Sequence, residues 1–178
     1  MTFAHDTVEA LESAVFLSNS ELEPDTLTSV AELQQYFTNF GYTGPAPTSV
    51  DLEPVRAIRS QLRDLFLASR DGAVPMVNEI LTGQRALPQL VRHGDVDWHI
   101  HATSDDRPLA ERILVESAMA MIDVIRADEM SRFAHCAMDD CGGVVFDMSR
   151  NRSKKYCTVT CTNRAAQAAF RARQSEDA

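Results

Sequence analysis

Residues 136–161 read CAMDDCGGVVFDMSRNRSKKYCTVTC, and the fold turns on this stretch. It holds all four cysteines of the chain, Cys136, Cys141, Cys157 and Cys161, whereas residues 1–135 contain none. They form two close pairs, Cys136-x4-Cys141 and Cys157-x3-Cys161, separated by a 15-residue spacer. Two close pairs at such a separation are what a tetrahedral four-thiolate zinc site requires. Four sulfur ligands complete the coordination shell, so the expected cofactor is one structural Zn2+ per chain, with no open position for Lewis-acid chemistry.

Working outward from the cysteines, Gly142–Met148 and Lys154–Tyr156 read as two strands around the turn Ser149–Ser153. Thr158 is suited to cap a helix running to about Arg173, with Cys161 in its first turn, where the helix dipole favours a thiolate. Knuckle, hairpin and a helix carrying the last ligand describe a treble-clef-like or zinc-ribbon-like finger. A segment this short, with few large apolar side chains, does not fold on core burial alone, and the metal supplies what the core lacks. A redox role for the same thiols, and His135 in place of one cysteine ligand, stay open beside this reading.

The charge divides the chain at the same place. Residues 1–130 carry 9 basic and 21 acidic side chains, a net of −12, while residues 131–178 carry 8 and 5, a net of +3. Between Met148 and Gln174 there are seven basic residues and no acid. Such asymmetry within a chain of net charge −9 points to two units with different partners: an acidic one over residues 1–130 and a basic finger over 131–178.

The first unit reads as mainly helical. Leu27, Val30, Leu33, Phe37 and Phe40 recur at helical spacing after Asp25, a suitable N-cap, and stop at Gly41. Gly44–Thr48 is a loop. A second helix is expected from about Pro54 to Arg70, ended by Asp71-Gly72, and a shorter one from Pro75 through Leu81. Gln89–Arg92 and Val96–Ala102 flank His93-Gly94-Asp95 as a small β-hairpin. Its second strand alternates Val96, Trp98 and Ile100 with Asp97, His99 and His101, which predicts one buried and one wet face, with Trp98 in the core. The longest helix is expected from Asp106 to about Arg132. Its apolar positions, Leu114 to Ile125, cover more than half its circumference, so it should be central. The fold class is therefore mainly α, with a small hairpin and a four-cysteine finger. Residues 1–24 give no expectation of an element.

Several classes of function are disfavoured. The longest apolar run is Ala118–Ile122, far short of a membrane span, so no membrane partner is expected. The first basic residue is Arg56, which leaves no charged segment of a secretory signal, and a cytoplasmic protein with reduced thiols is expected. There is no Gly-rich phosphate loop, nucleophile-elbow serine or His-Glu-x-x-His, and no catalytic residue is assigned: the chain does not read as an enzyme.

The residues resemble the CGNR zinc finger: Cys136, then Cys141-Gly142-Gly143-Val-Val-Phe146-Asp147-Met-Ser149, then Lys155-Tyr156-Cys157 and Cys161-Thr162-Asn163-Arg164. That finger closes bacterial proteins whose N-terminal part is the ABATE domain. Val15-Phe16-Leu17-Ser18-Asn19, Val55-Arg56-Ala57-Ile58-Arg59 and Val77-Asn78 have counterparts in that domain. The resemblance implies a stress-induced transcription regulator and covers nearly the whole chain. One departure is Thr162, where the name-giving motif has glycine. This favours helicity and questions any close approach of a phosphate that the glycine permits.

The expected partner of the finger is DNA, contacted through Arg150, Arg152, Lys154, Lys155, Arg164, Arg171 and Arg173. Arg164, Gln167, Arg171 and Gln174 fall on one helical stripe, and arginine and glutamine suit base edges. The alternative is a protein-interaction adaptor docking on an acidic partner. In the acidic unit, Arg56, Arg59, Arg63 and Arg70 share a narrow stripe that reads either as ion pairs with neighbouring segments or as a pocket for an anionic ligand, small molecule or protein. His99 and His101, two apart on one strand face, read as a wet face rather than a metal site.

Overall fold

The structure is a computed structural model that describes residues 3–93 and 96–176. Five helices form the first half: α1 (His5–Asn19), α2 (Val30–Asn39), α3 (Ser49–Ala57), α4 (Arg59–Leu67) and α5 (Arg70–Gly83). An antiparallel hairpin follows, β1 (Gln89–His93) with β2 (Val96–His101), and then the long helix α6 (Leu109–Arg126). The finger comprises a 3-10 turn at Met130–Arg132, the antiparallel strands β3 (Phe133–His135) and β4 (Val144–Phe146), and α7 (Val159–Glu176).

Helix α6 is central, as its broad apolar surface predicts. Ile113, Val115, Ala118, Met121 and Val124 are fully enclosed, and α1 and α5 pack along its length. It ends earlier than expected, at Arg126, because Asp128 takes a left-handed φ of 57° and the Glu129 N–H returns to the Val124 carbonyl. Helix α1 is an element that the sequence pattern does not announce. It lies between α6 and α4 and buries Leu11, Ala14, Val15 and Leu17.

Other boundaries move for local reasons. Helix α2 starts at Val30, capped by Ser29 in a reciprocal box with Glu32, while Asp25 accepts from the Leu27 N–H instead. The helix expected over Pro54–Arg70 is two, α3 and α4, broken at Ile58, and α3 begins well before Pro54. Asp71-Gly72 does not end a helix. It lies in the first turn of α5, whose N-cap Ser69 accepts from the Gly72 N–H at 3.1 Å.

The hairpin β1–β2 forms where expected, although its Gly94-Asp95 turn lies outside the described residues. Its apolar face, however, is not in the core: Trp98 is 64% exposed, and Leu90 and Ile100 share that outward surface. Alternation reveals two faces of a strand but not which one meets the protein, and here the described residues of the apolar one face outward.

The finger hairpin also differs. The partner of β4 is β3, immediately before Cys136, so the strands enclose the first cysteine pair; Lys154–Tyr156 is not a strand. That segment is held by the Ala137 N–H donating to the Lys155 carbonyl and the Lys154 N–H donating to Asp147. The apolar core continues past residue 130. Phe133 stacks between Phe66 of α4 and Phe146 of β4, with ring centroids 5.0 and 4.8 Å apart, and Val144 is fully buried. The Asn19 side chain, at the end of α1, bonds both polar groups of the Val144 backbone, donating to its carbonyl at 2.8 Å and accepting its N–H at 2.7 Å.

Candidate functional site

The four cysteines converge. Cys136 sits where β3 ends, Cys141 closes the following turn, Cys157 precedes α7 and Cys161 lies in its first turn. Their sulfurs all lie within 4.8 Å of one another, with Cys141–Cys157 at 3.6 Å and Cys161 at 3.8 Å from both Cys157 and Cys141. A zinc ion held by four thiolates at about 2.3 Å places its sulfurs about 3.8 Å apart. A disulfide requires about 2.05 Å, and all four thiols are free.

Local structure fixes each ligand. The Cys136 N–H donates to the Gly143 carbonyl at 2.8 Å, and the Cys141 N–H to the Met138 carbonyl at 3.0 Å, closing the knuckle. The Thr158 hydroxyl accepts from the Cys161 N–H at 3.1 Å, the cap that places Cys161 at the positive end of α7. The Cys157 N–H faces the Cys136 sulfur at 3.5 Å. Burial opposes a thiolate at Cys136, but the N–H groups of Cys157 and Met138 outweigh it and lower its pKa. Cys157 is pushed well up by burial and by its neighbours Cys141 and Cys136. Four thiols this close cannot all ionise by themselves, and a divalent cation relieves that repulsion. The donor set therefore fits zinc.

The basic residues assigned to the finger fall into two groups. Arg150, Lys155, Arg171 and Arg173 are exposed and carry no ion pair among the described residues. The other three are engaged within the molecule. Arg152 binds Glu129 at 2.6 Å and Ser131, the Lys154 ammonium donates to the Phe146 carbonyl at 3.1 Å, and Arg164 pairs with Asp140. The last contact braces α7 against the Cys136–Cys141 turn, and Arg164 holds the Asp140 carboxyl below its ordinary pKa. The Thr162 hydroxyl donates back to the Thr158 carbonyl at 3.1 Å, so α7 runs through this position without a break. From Ala166 to Ser175 every residue of α7 is exposed, and Phe170 is 55% exposed.

Arg56, Arg59 and Arg63 do not form an open anion pocket. Arg59 is buried and binds both oxygens of Asp25 at 3.0 and 3.1 Å; Arg56 pairs with Asp25 and Glu53; Arg63 pairs with Glu21 and donates to the Ser18 carbonyl. Three carboxylates offset three guanidiniums, and the Arg59 hydrogen bond in particular lowers the Asp25 pKa. The cluster ties α3 and α4 to the end of α1, and Arg70 instead donates to the Ile125 carbonyl. Sequence reading could not find the carboxylate partners because Glu21 and Asp25 lie in a loop with no periodicity to place them.

No helix among the described residues is long and apolar enough to cross a membrane. No curated protein matches the chain. Residues 12–128 match the ABATE family, described as "Putative stress-induced transcription regulator", and residues 132–174 match the CGNR zinc finger, the span that holds the four converging cysteines. The first match alone covers more than half of the sequence, so the chain belongs to the ABATE family, with a CGNR zinc finger at its C-terminal end.

Proposed function

We propose that this protein is a non-enzymatic transcription regulator that binds duplex DNA through its finger, holding one structural zinc per chain on Cys136, Cys141, Cys157 and Cys161. The observation that carries the reading is the outer part of α7, exposed on every side from Ala166 to Ser175 and flanked by unpaired cations. The helix is 18 residues long, about 27 Å, and its many alanines keep it slender enough for a major groove about 12 Å wide. Gln167, Arg171 and Gln174 present long polar side chains along one stripe, while Arg150 and Lys155 are placed to neutralise phosphates. Arg152, Lys154 and Arg164 contribute chiefly by holding the finger's shape. The acidic helical part, roughly residues 1–130, acts as the sensor or regulatory module, and its −12 charge keeps nucleic acid away from every surface but the finger.

The test is a gel-shift titration of the full-length protein at ~50 and ~200 mM salt. If four cations each release a counterion, affinity should fall about 100-fold between the two. Arg171→Glu with Arg173→Glu should remove most of the binding while the fold, judged by circular dichroism, is kept. An unchanged shift from that variant refutes α7 as the footprint. Retention by an acidic protein surface that duplex DNA does not displace favours the adaptor reading instead.

A further inference from the structure

A second group of metal-ligating side chains lies in the acidic unit, on the face of the β1–β2 hairpin opposite Trp98. His99 and His101 are two apart on β2, and their Nε2 atoms converge to 3.1 Å, with the rings edge to face. Two imidazole nitrogens at about 2.0–2.1 Å from one ion and 3.1 Å from each other subtend about 100° at the metal, between the octahedral and tetrahedral values. The opposite nitrogen of His101, Nδ1, lies 3.9 Å from Oδ1 of Asp105. At this distance the carboxylate makes no hydrogen bond to the ring, but it stands on the side from which a carboxylate orients a metal-ligating histidine. Asp105 is itself fixed, accepting from the Thr43 hydroxyl at 2.7 Å and facing the buried Arg112 at 3.7 Å.

The surroundings leave room for such an ion to keep open positions. His101 lines a cleft of about 560 Å3 together with Gln89, Thr103, Arg85 and Arg107. The Thr103 hydroxyl on this cleft is buried without a hydrogen-bond partner. The strand register sets Gln89 opposite His101 and Val91 opposite His99, so both histidines stand on one face of the sheet, while Leu90, Trp98 and Ile100 occupy the other.

We propose that His99 and His101 form a second metal site, binding one divalent first-row transition ion such as Zn2+ or Ni2+ through their Nε2 atoms, with Asp105 as the positioning carboxylate of His101 and further positions open to the cleft. The site belongs to the acidic helical unit and does not depend on the reading of the finger. It gives that unit a chemical input of its own.

The experiment counts metal on the full-length chain. Protein equilibrated with excess Zn2+ and freed of unbound ion is assayed with a chromogenic chelator, beside a His99→Gln, His101→Gln variant. The expected result is one metal equivalent fewer in the variant, whatever the wild-type total. A total of two against one supports both the finger and the new site; one against none supports the new site and removes the finger's metal. Equal totals overturn the proposal and leave the 3.1 Å contact as a hydrogen bond between imidazoles. Because the variant can disturb the hairpin, a second measurement uses the wild-type protein alone. Paramagnetic Ni2+ should broaden the amide signals of Gln89, Val91 and Ala102 before others, and broadening confined to residues far from β1–β2 overturns the site.

Discussion

Gly143 shows how tightly single residues constrain the metal centre. A Cβ at this position would lie 2.6 Å from the Cys157 sulfur and 3.1 Å from a Leu22 methyl, so a ligand and a side chain of the helical part meet over the same hydrogen atom. Gly143→Ala must push the ligand or Leu22 aside and should cost about 1–3 kcal/mol, with weakened zinc retention measurable against a competing chelator. Glu116 is a second residue under stress. It lies on α6 beside Tyr36, Tyr42, Asp105 and Arg112, and burial raises its pKa from 4.5 to about 7, with Arg112 only partly offsetting the rise. The folded state therefore holds this proton more firmly than the unfolded chain does. Its contribution to stability is fully present below pH 4.5 and is lost as pH rises through about 7. Glu116→Gln should leave stability near pH 4 almost unchanged and raise it on the order of 1–2 kcal/mol at pH 8, allowing for partial exposure of the group. Urea melts at both pH values check this, and a variant equally or less stable at pH 8 contradicts it.

At the scale of elements, the decisive junction is α1 against β4. Asn19 satisfies both the N–H and the carbonyl of Val144, acting as a short stand-in for a third strand beside β4. Asn19→Ala leaves two buried backbone groups without partners and should destabilise the protein by about 2–3 kcal/mol in thermal or urea unfolding. A change below a few tenths would mean that water replaces the side chain. The same junction explains what could and could not be read from residues alone. The paired cysteines, the cap at Thr158 and the central helix α6 each carry a local signature; the cysteines converge and the cap forms as expected, and α6 is central but shorter at both ends than its pattern suggests. Helix α1 has no side-chain cap and buries small polar residues, Ser13 and Ser18, among its apolar ones, so its periodicity is blurred. Strand β3 is three residues long, and only its pairing with β4 and the stack of Phe66, Phe133 and Phe146 make it a strand. Trp98 was legible as one member of an alternating strand, but its exposure depends on which elements pack across the hairpin. That information is tertiary.

Across the whole molecule, the finger and the helical part share one apolar core while differing in charge. The Phe66–Phe133–Phe146 stack, the Asn19 clamp and the pairing of Glu129 with Arg132 and Arg152 all cross the junction near residue 130. Loss of the metal should therefore not merely release the last 40 or so residues. Chelation should lower the melting temperature of the helical part as well, by several degrees in a scan followed by far-ultraviolet circular dichroism, because β3 and β4 supply part of its core. An unchanged helical transition on chelation would show that the two parts are energetically independent. The shared core also offers a route by which a ligand of the helical part alters the finger, since any shift of α1 or α4 moves β4 and the cysteines beside it. The most direct test of the account is the DNA affinity of the full-length protein with its metal present, removed and restored, with metal content measured on the same samples. One zinc per chain, salt-sensitive duplex binding that disappears on chelation, and its return when Zn2+ is added back are the predicted results; duplex binding that persists without metal, or a zinc-loaded protein that ignores DNA at low salt, would contradict it.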